Sequence, residues 1–340
     1  MADATHISFT ASDRSYFSLL KKEIHNKSVE LGFSEQKTAE LDIVVSEMTS
    51  NLHKYANDGE ILMGAFAEDE NPYIEVICID NGPGMADPFK MMKDGFSTTN
   101  SMGHGLGSIN RLSDKFDIYT QKGWGTIILS RIYKNPVTRK LTRATGVDIK
   151  ALVVAKPGEQ HSGDGFYYKY EGGKFKMLVA DGLGHGIEAN YAVNQAAETF
   201  KNYTGSSPVE VLRIMHHDIR KTRGIVGTAV VFDFESNKWQ IAGIGNIAVK
   251  MLGASNMKSY IAYNGIIGHN IPNTMNDQEH SWNDYYQIVL CSDGIRSRWD
   301  VSKYPGIFKC DLSVTAAAIY KDFARRTDDM SVIVGKIQPR

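Results

Sequence analysis

Asp164, Asp181 and Asp293 are each followed directly by glycine, Asp181 and Asp293 at the end of an apolar run and Asp164 before a strand-like one, and Asp328-Asp329 stands just before another such run. The surrounding stretches are Ser162-Gly163-Asp164-Gly165, Ala180-Asp181-Gly182-Leu183-Gly184-His185-Gly186, Cys291-Ser292-Asp293-Gly294 and Thr327-Asp328-Asp329-Met330. Any one of them is an ordinary hairpin turn, since Asp-Gly is a common turn dipeptide. Four at strand ends suggest that the acids converge. Hard divalent cations take oxygen ligands from aspartate, backbone carbonyls and water, and a glycine beside the acid frees its carbonyl for the same shell. Two such ions would share a bridging hydroxide, lower its pKa and neutralise charge on a phosphoryl group under in-line attack, with no need for a cysteine nucleophile.

The first half carries a different set. Glu47 and Asn51 lie four residues apart on a helical stretch, so a carboxylate and a carboxamide share one face a turn apart. Asn suits a metal bridging nucleotide phosphates, and Glu suits a general base for an attacking hydroxyl. Alone, the pair is also what a solvated helix face looks like. Farther on, Ile79-Asp80-Asn81-Gly82-Pro83-Gly84-Met85 ends an apolar strand with an acid and two glycines. This is either a tight turn or a place where Asp80 accepts a hydrogen bond from an exocyclic amine such as that of adenine, with Gly82 and Gly84 leaving room for the base. Gly103-His104-Gly105-Leu106-Gly107 then leads into a helix from Ser108 to Leu112, offering backbone N–H groups to a polyphosphate. The order Glu-x-x-x-Asn, Asp-x-Gly-x-Gly, Gly-x-Gly-x-Gly, Gly125-Thr126 together points to a nucleotide site.

These residues need elements to hold them. Helical spacing predicts a first helix from Asp13 to about Leu31, with Phe17, Leu20, Ile24 and Val29 on its apolar stripe. A second helix runs from about Ser34 to Tyr55, with a capping-box-like start and Leu41, Val44, Val45, Met48 and Leu52 facing the core. Strand signals follow at Ile61–Phe66, Tyr73–Asp80, Phe116–Thr120 and Thr126–Ile132. From about Tyr133 to Gly146 the chain turns basic and loses periodicity, which marks a linker. Beyond it come strand signals at Ile149–Ala155, Gly165–Tyr170, Phe175–Asp181, Gly227–Phe234, Trp239–Leu252 and Tyr286–Ser292, with amphipathic helices at about Ile187–Tyr203 and Pro208–Thr222.

At 340 residues, two domains are expected, placed at 1–133 and 147–340 with a linker at 134–146. A net charge of -1 gives no field that would draw nucleic acid or an anionic membrane. The cysteines Cys78, Cys291 and Cys310 are odd in number and lack metal-ligand spacing, so a reducing compartment is expected. No stretch approaches the roughly 18 apolar residues of a membrane span, and a cytoplasmic location follows as the expectation.

Residues from about 7 to 133 resemble the Bergerat-type ATPase fold of gyrase, MutL and histidine kinases, and within it the anti-sigma-factor kinases of the RsbT type. The stretch from Gly105 to Asp117 carries the closer similarity. The resemblance implies Glu47 as catalytic base, Asn51 as magnesium ligand and Asp80 as adenine contact supported by Thr126, with Gly82, Gly84 and Met85 around the base. Gly103 to Gly107, including His104 and Leu106, would bind phosphates, and Asp94 to Met102, with Thr99, resembles a short ATP lid. No phosphoacceptor helix precedes the motif, so His104 is read as a lid or phosphate contact.

Residues from about 146 to 337 resemble the SpoIIE-type branch of the PPM metal-dependent protein phosphatases, and in compact size the RsbX type. The resemblance implies that Asp181 bridges two metals, Gly182 offers its carbonyl, Asp293 and Asp328 hold one ion and Asp164 supports the other through water. Asp329 could share with Asp328, and Asp181 and Asp293 are the catalytic centre. Gly243-Ile244-Gly245-Asn246 reads as a strand bend near the site, His185 is open between a structural and an acid role, and His216-His217 reads as structural.

The fold expected is α+β with two domains: a Bergerat α/β sandwich with a mixed sheet and helices on one face, then a PPM-type β-sandwich flanked by helices. The function implied is a bacterial regulator that phosphorylates Ser or Thr on a STAS-domain partner with ATP and Mg2+, and removes phosphate with two Mn2+ or Mg2+ ions, in a stressosome-like stress response. Alternatives are a module that sequesters a sigma factor or phosphatase activator on ATP, and a phosphatase gated by nucleotide without kinase activity. A homodimer is left open.

Overall fold

The apolar spacing read in the first half folds as helices packed on one face of a sheet. The structure, a computed structural model, describes residues 5–10, 14–56, 58–67, 71–91, 105–136, 146–254 and 256–337. The expected contacts Thr99, Gly103 and His104, the whole of the expected lid and the middle of the expected linker lie outside the described residues. Of the described residues, 5–136 with Ser302–Ala318 form one compact unit, and 146–301 with those from Ile319 onward form the other.

In the first unit the order is β1 (His6–Thr10), α1 (Arg14–Glu30), α2 (Glu35–Tyr55), β2 (Gly59–Phe66), β3 (Tyr73–Asp80), α3 (Pro88–Met91), α4 (Gly105–Leu112), β4 (Lys115–Gln121) and β5 (Gly125–Tyr133). The strands pair as β1-β2-β3-β5-β4, each described pair antiparallel, a finer statement than the mixed sheet expected. Ser34 caps α2 by accepting the Lys37 N–H at 3.2 Å, satisfying a donor that the helix leaves orphaned. Leu41, Val44, Val45, Met48 and Leu52 are buried against Ile61, Val76, Cys78 and Ile128; each such burial is worth about 1.5–3 kcal/mol at most. Two expectations shift. Strand β1 carried no signal strong enough to be read, and Val29 is 60 % exposed. The stripe Leu20, Ile24 continues four residues on to Ser28, which is buried and bonds the His25 carbonyl and Thr38. Val29 is rotated off that face by one residue.

The sheet's other face carries Glu75, Arg131, Asp117 and Tyr119, and Ser302–Ala318 covers it within the same unit. Arg131 donates to both Asp311 oxygens, at 2.8 and 2.6 Å, and to Ser313 at 2.7 Å, and it is ion-paired with the buried Glu75. Asp117 accepts the Asp311 N–H at 2.6 Å, and Tyr304 packs edge-on against Tyr119. Burial works against the charge of Asp311, but the Arg131 fork outweighs it and holds the carboxyl below its ordinary range.

The second unit contains β6 (Val147–Val154), β7 (Asp164–Glu171), β8 (Lys174–Gly182), α5 (Ile187–Asn202), α6 (Pro208–Asp218), β9 (Ile225–Asp233), β10 (Lys238–Ile244), β11 (Ala248–Leu252), β12 (Met257–Tyr260), β13 (Gln278–Ser281) and β14 (Gln287–Cys291), then the end of α7 (Leu312–Phe323) and β15 (Met330–Ile337). One sheet runs β13-β10-β9-β8-β7 and the facing strands run β12-β11-β14-β15-β6. Phe175, Met177, Val230, Phe232, Trp239, Val249, Leu290 and Ile333 fill the space between them. Helices α5 and α6 cover the outer face through Ala192, Val193, Ala196, Leu212 and Met215 over Leu178 and Ala180. This is the sandwich with flanking helices that was expected.

The run expected as one strand, Trp239–Leu252, is two, because the chain bends at Gly245, whose φ is 98°. Helix α7 escaped the sequence reading because Ala316, Ala317, Ala318, Ile319 and Tyr320 are all buried, leaving no polar face to betray its period. Among the described residues no helix is long and apolar enough to cross a membrane.

Candidate functional site

The acid set is assembled at strand ends of the second unit. Asp164 opens β7 and Asp181 lies near the end of β8, and the antiparallel register sets them directly opposite one another. Glycine is required next to Asp181, because a Cβ on Gly182 would stand 2.5 Å from the Ala189 carbonyl in the first turn of α5. Asp164 is 1 % exposed. Its Oδ2 accepts from Ser292 at 2.6 Å, and Ser292 in turn accepts the Ser331 N–H at 3.0 Å, which ties β7 to the segments bearing Asp293 and Asp328. Its Oδ1 is buried and has no hydrogen-bond partner among the described residues.

Electrostatics say what this crowding lacks. Burial pushes the Asp164 carboxyl up to about 8; Ser292 opposes the shift, and the charges of Asp329 and Asp293 add to it. Asp181 is raised well above the ordinary carboxylate value, by burial first and then by Asp164, Asp293, Asp328 and Asp329. These acids therefore feel one another, although no three His, Cys, Asp or Glu side chains among the described residues already stand as a closed metal-ligand group. An orphaned buried carboxylate oxygen among mutually repelling acids fits an oxygen-seeking divalent cation.

The remaining acids differ in role. Asp293 accepts from Asn246 at 2.9 Å, so the Gly245 bend delivers a side chain to the centre. Asp328 accepts the N–H of Asp329 at 3.0 Å. Asp329 is held at both oxygens by backbone N–H groups, of Lys156 and Gly163, each at 2.8 Å, so it pins the loop before β7 to the start of β15. His185 pairs with Glu159 at 2.7 Å. His216 accepts the Gly268 N–H at 3.1 Å, a structural contact. Asn246, Ser292 and Glu159 were not assigned roles from the sequence. For Ser292, the adjacent Asp293-Gly294 was the available clue.

In the first unit, α2 presents Glu47 and Asn51 toward the start of α4. A Cβ on Gly105 would meet Glu47 Oε2 at 2.7 Å and Asn51 Oδ1 at 3.6 Å, so the glycine admits that approach. Asp80 ends β3, and its Oδ1 accepts the N–H of Gly82 at 2.7 Å and of Thr126 at 3.2 Å. Thr126 thus supports Asp80 through its backbone. The turn lies against the end of α2, since a Cβ on Gly82 would stand 2.9 Å from the Tyr55 carbonyl. Gly84, with φ of 69°, passes so close to Gln121 that a Cβ would fall 2.1 Å from its carbonyl oxygen. Met85 donates its N–H to Thr120 at 2.8 Å. Leu106 and Gly107 sit in the first turn of α4, with Gly107 buried. Glu47, Asn51, Gly105, Gly82 and Asp80 are thereby linked through neighbouring contacts along α2.

Comparison with known proteins finds two families along the chain. Residues 15–131 match the histidine kinase-like ATPase domain, and residues 171–338 match the stage II sporulation protein E family. The serine/threonine-protein kinase RsbT of Bacillus subtilis is 37% identical over 103 residues, 30% of this chain and 77% of that protein. The phosphoserine phosphatase RsbX of the same organism is 25% identical over 92 residues, 27% of this chain and 46% of RsbX, so the match spans less than half of that relative. Among solved structures, a chain from work on the bacterial stressosome as a modular system adapted to control secondary messenger signalling aligns with a TM-score of 0.51 at 28% identity, covering 56% of this chain and 100% of that one. RsbX in complex with magnesium aligns with a TM-score of 0.50 at 18% identity over 56% of this chain and 96% of its own, a likeness of fold.

Proposed function

We propose that this chain, which belongs to the RsbT-type serine/threonine kinase family through its first half and carries an RsbX- and SpoIIE-like PPM serine phosphatase half behind it, opposes two activities on a STAS-domain partner. The first unit transfers phosphate from ATP to a serine or threonine of the partner, and the second removes it. The observation that carries this reading is the separation of the two residue sets by compact unit: Glu47, Asn51, Asp80 and Gly105 in one, Asp164, Asp181, Asp293 and Asp328 in the other. Likeness to RsbT, RsbX and a stressosome protein supports STAS-type partners in a bacterial cytoplasm.

In the kinase unit Glu47 accepts the proton of the attacking hydroxyl, Asn51 holds the nucleotide's magnesium, and Asp80 receives the adenine amine while Gly82 and Thr126 fix its carboxylate. In the phosphatase unit Asp164, Asp181, Asp293, Asp328 and the Gly182 carbonyl would hold divalent cations. Bound there, two Mg2+ or Mn2+ ions supply an activated water and neutralise the phosphoryl charge. Asn246 and Ser292 orient Asp293 and Asp164, and Asp329 braces the loop around them.

The test is turnover in both directions. Incubated with radiolabelled ATP, Mg2+ and a STAS protein, Asp181→Ala should accumulate phosphoprotein, Glu47→Ala should form none, and wild type should release inorganic phosphate. A chain that binds ATP and the STAS protein yet transfers no phosphate is a sequestering module, and the kinase half of the proposal then fails.

A further inference from the structure

Between α6 and β9 the chain turns through the basic run Arg220-Lys221-Thr222-Arg223-Gly224. Thr222 fixes this turn, donating to the Ile219 carbonyl at 2.8 Å and accepting the Gly224 N–H at 3.0 Å. It is then tied on two sides. The Arg223 carbonyl contacts the His269 ring nitrogen at 2.8 Å, and the Gly224 carbonyl accepts the N–H of Leu183 at 3.2 Å. Leu183 belongs to the Asp181–Gly186 loop, so the backbone of Arg223 is fastened to the loop that carries the acid centre.

The side chain follows the backbone there. A Cβ built on Gly184 would stand 3.0 Å from Arg223 Nη1, which places the guanidinium against that glycine. The Gly184 carbonyl lies 3.5 Å from where a Cβ on Gly163 would be, and Gly163 donates to Asp329 at 2.8 Å. Arg223 thus borders the acid centre through Gly184 and Gly163. It is exposed, and among the described residues its guanidinium makes no ion pair or hydrogen bond.

A guanidinium costs side-chain entropy to hold and gives the most back when its planar fork meets two oxygens of a carboxylate or phosphate. Arg131 shows the satisfied arrangement in this chain, both nitrogens on Asp311. Arg223 has the anchored backbone and, through Gly184 and Gly163, the neighbouring acid centre, but no anionic partner among the described residues. We propose that Arg223 is a substrate-binding residue of the phosphatase, taking the phosphate of a phosphoserine or phosphothreonine protein as it enters the acid centre. This rests on the phosphatase reading and adds the residue that holds the anion. No acid of the cluster can serve there, because each would repel the phosphate.

Steady-state kinetics on a phosphoserine peptide with Mn2+, together with product inhibition by inorganic phosphate, test it. Losing one bidentate charged contact should raise KM and the phosphate inhibition constant together by about tenfold or more in Arg223→Ala, with a smaller change in kcat. Arg223→Lys, which keeps the charge and loses the fork, should fall between. The thermal midpoint and Mn2+ affinity should stay at wild-type values. Normal wild-type turnover with unmoved KM and phosphate inhibition in Arg223→Ala overturns the inference, as does a loss confined to kcat or tracking a lowered midpoint. A wild-type protein that releases no phosphate sinks the phosphatase reading and the inference with it.

Discussion

Asp80 and Asp164 invite comparison: both are aspartates at the end of a strand, each with glycine within two residues, yet their surroundings are opposite. One oxygen of Asp80 accepts two backbone N–H groups, from Gly82 and Thr126. One oxygen of Asp164 is buried with no hydrogen-bond partner among the described residues, and its carboxyl is pushed up to about 8, by burial first. The two carboxylates therefore differ in what would stabilise them. A carboxylate steadied by its own backbone is preorganised to accept a neutral donor at little cost. Carboxylates packed against one another hold repulsion that a proton or a bound cation relieves.

Breaking the second site should have the largest effect. Asp181→Asn should lower phosphoserine turnover by about a thousandfold, the loss of roughly 4 kcal/mol of charge stabilisation, while leaving ATP affinity alone. Phosphate release and a nucleotide titration on the same preparation read both. Next in size is the buried clamp of the first unit. Arg131→Met strands Glu75 and Asp311 without their cation and should cost about 3 kcal/mol in urea unfolding. Its pH dependence sharpens the test. The folded Asp311 carboxyl is held low, so its share of stability is present above the unfolded value near about 3.9 and is lost as pH falls through the lower folded one. The gap between wild type and variant should therefore close in acid.

Asp80→Ala should weaken ATP binding by about 2 kcal/mol, the range of a hydrogen bond to a charged group, with Mn2+ affinity unmoved. A parallel loss of both would erase the contrast between Asp80 and Asp164. The smallest effect belongs to the cap: Ser34→Ala should lower the stability of the unit bearing Glu47 and Asn51 by about 1 kcal/mol, seen as a lower thermal midpoint with ATP affinity retained.

Much of this was legible in the chain, and the gaps have physical causes. Strand β3 was read to its bounds, Tyr73–Asp80, because β-branched residues run to a clear acid-glycine stop. The core face of α2 was read residue by residue from its period. The Asp-Gly turns identified Asp164 and Asp181, and the register sets the two face to face. Contacts between distant segments were not legible. Arg131 meets Asp311 across 180 residues of chain, so nothing local signals that Ser302–Ala318 packs in the first unit. Asp329 was legible as a candidate ligand, but its bonds from the backbone N–H groups of Lys156 and Gly163 were not. The Asn246 contact with Asp293 likewise depends on a bend whose direction a glycine alone does not tell.

The most direct test is a calorimetric titration of Mn2+ into nucleotide-free wild type and into Asp181→Asn. Mn2+ should bind wild type without ATP and fail to bind the variant, while ATP still binds both. Manganese uptake that requires ATP, or that survives in Asp181→Asn, would contradict a cation centre built by the crowded aspartates.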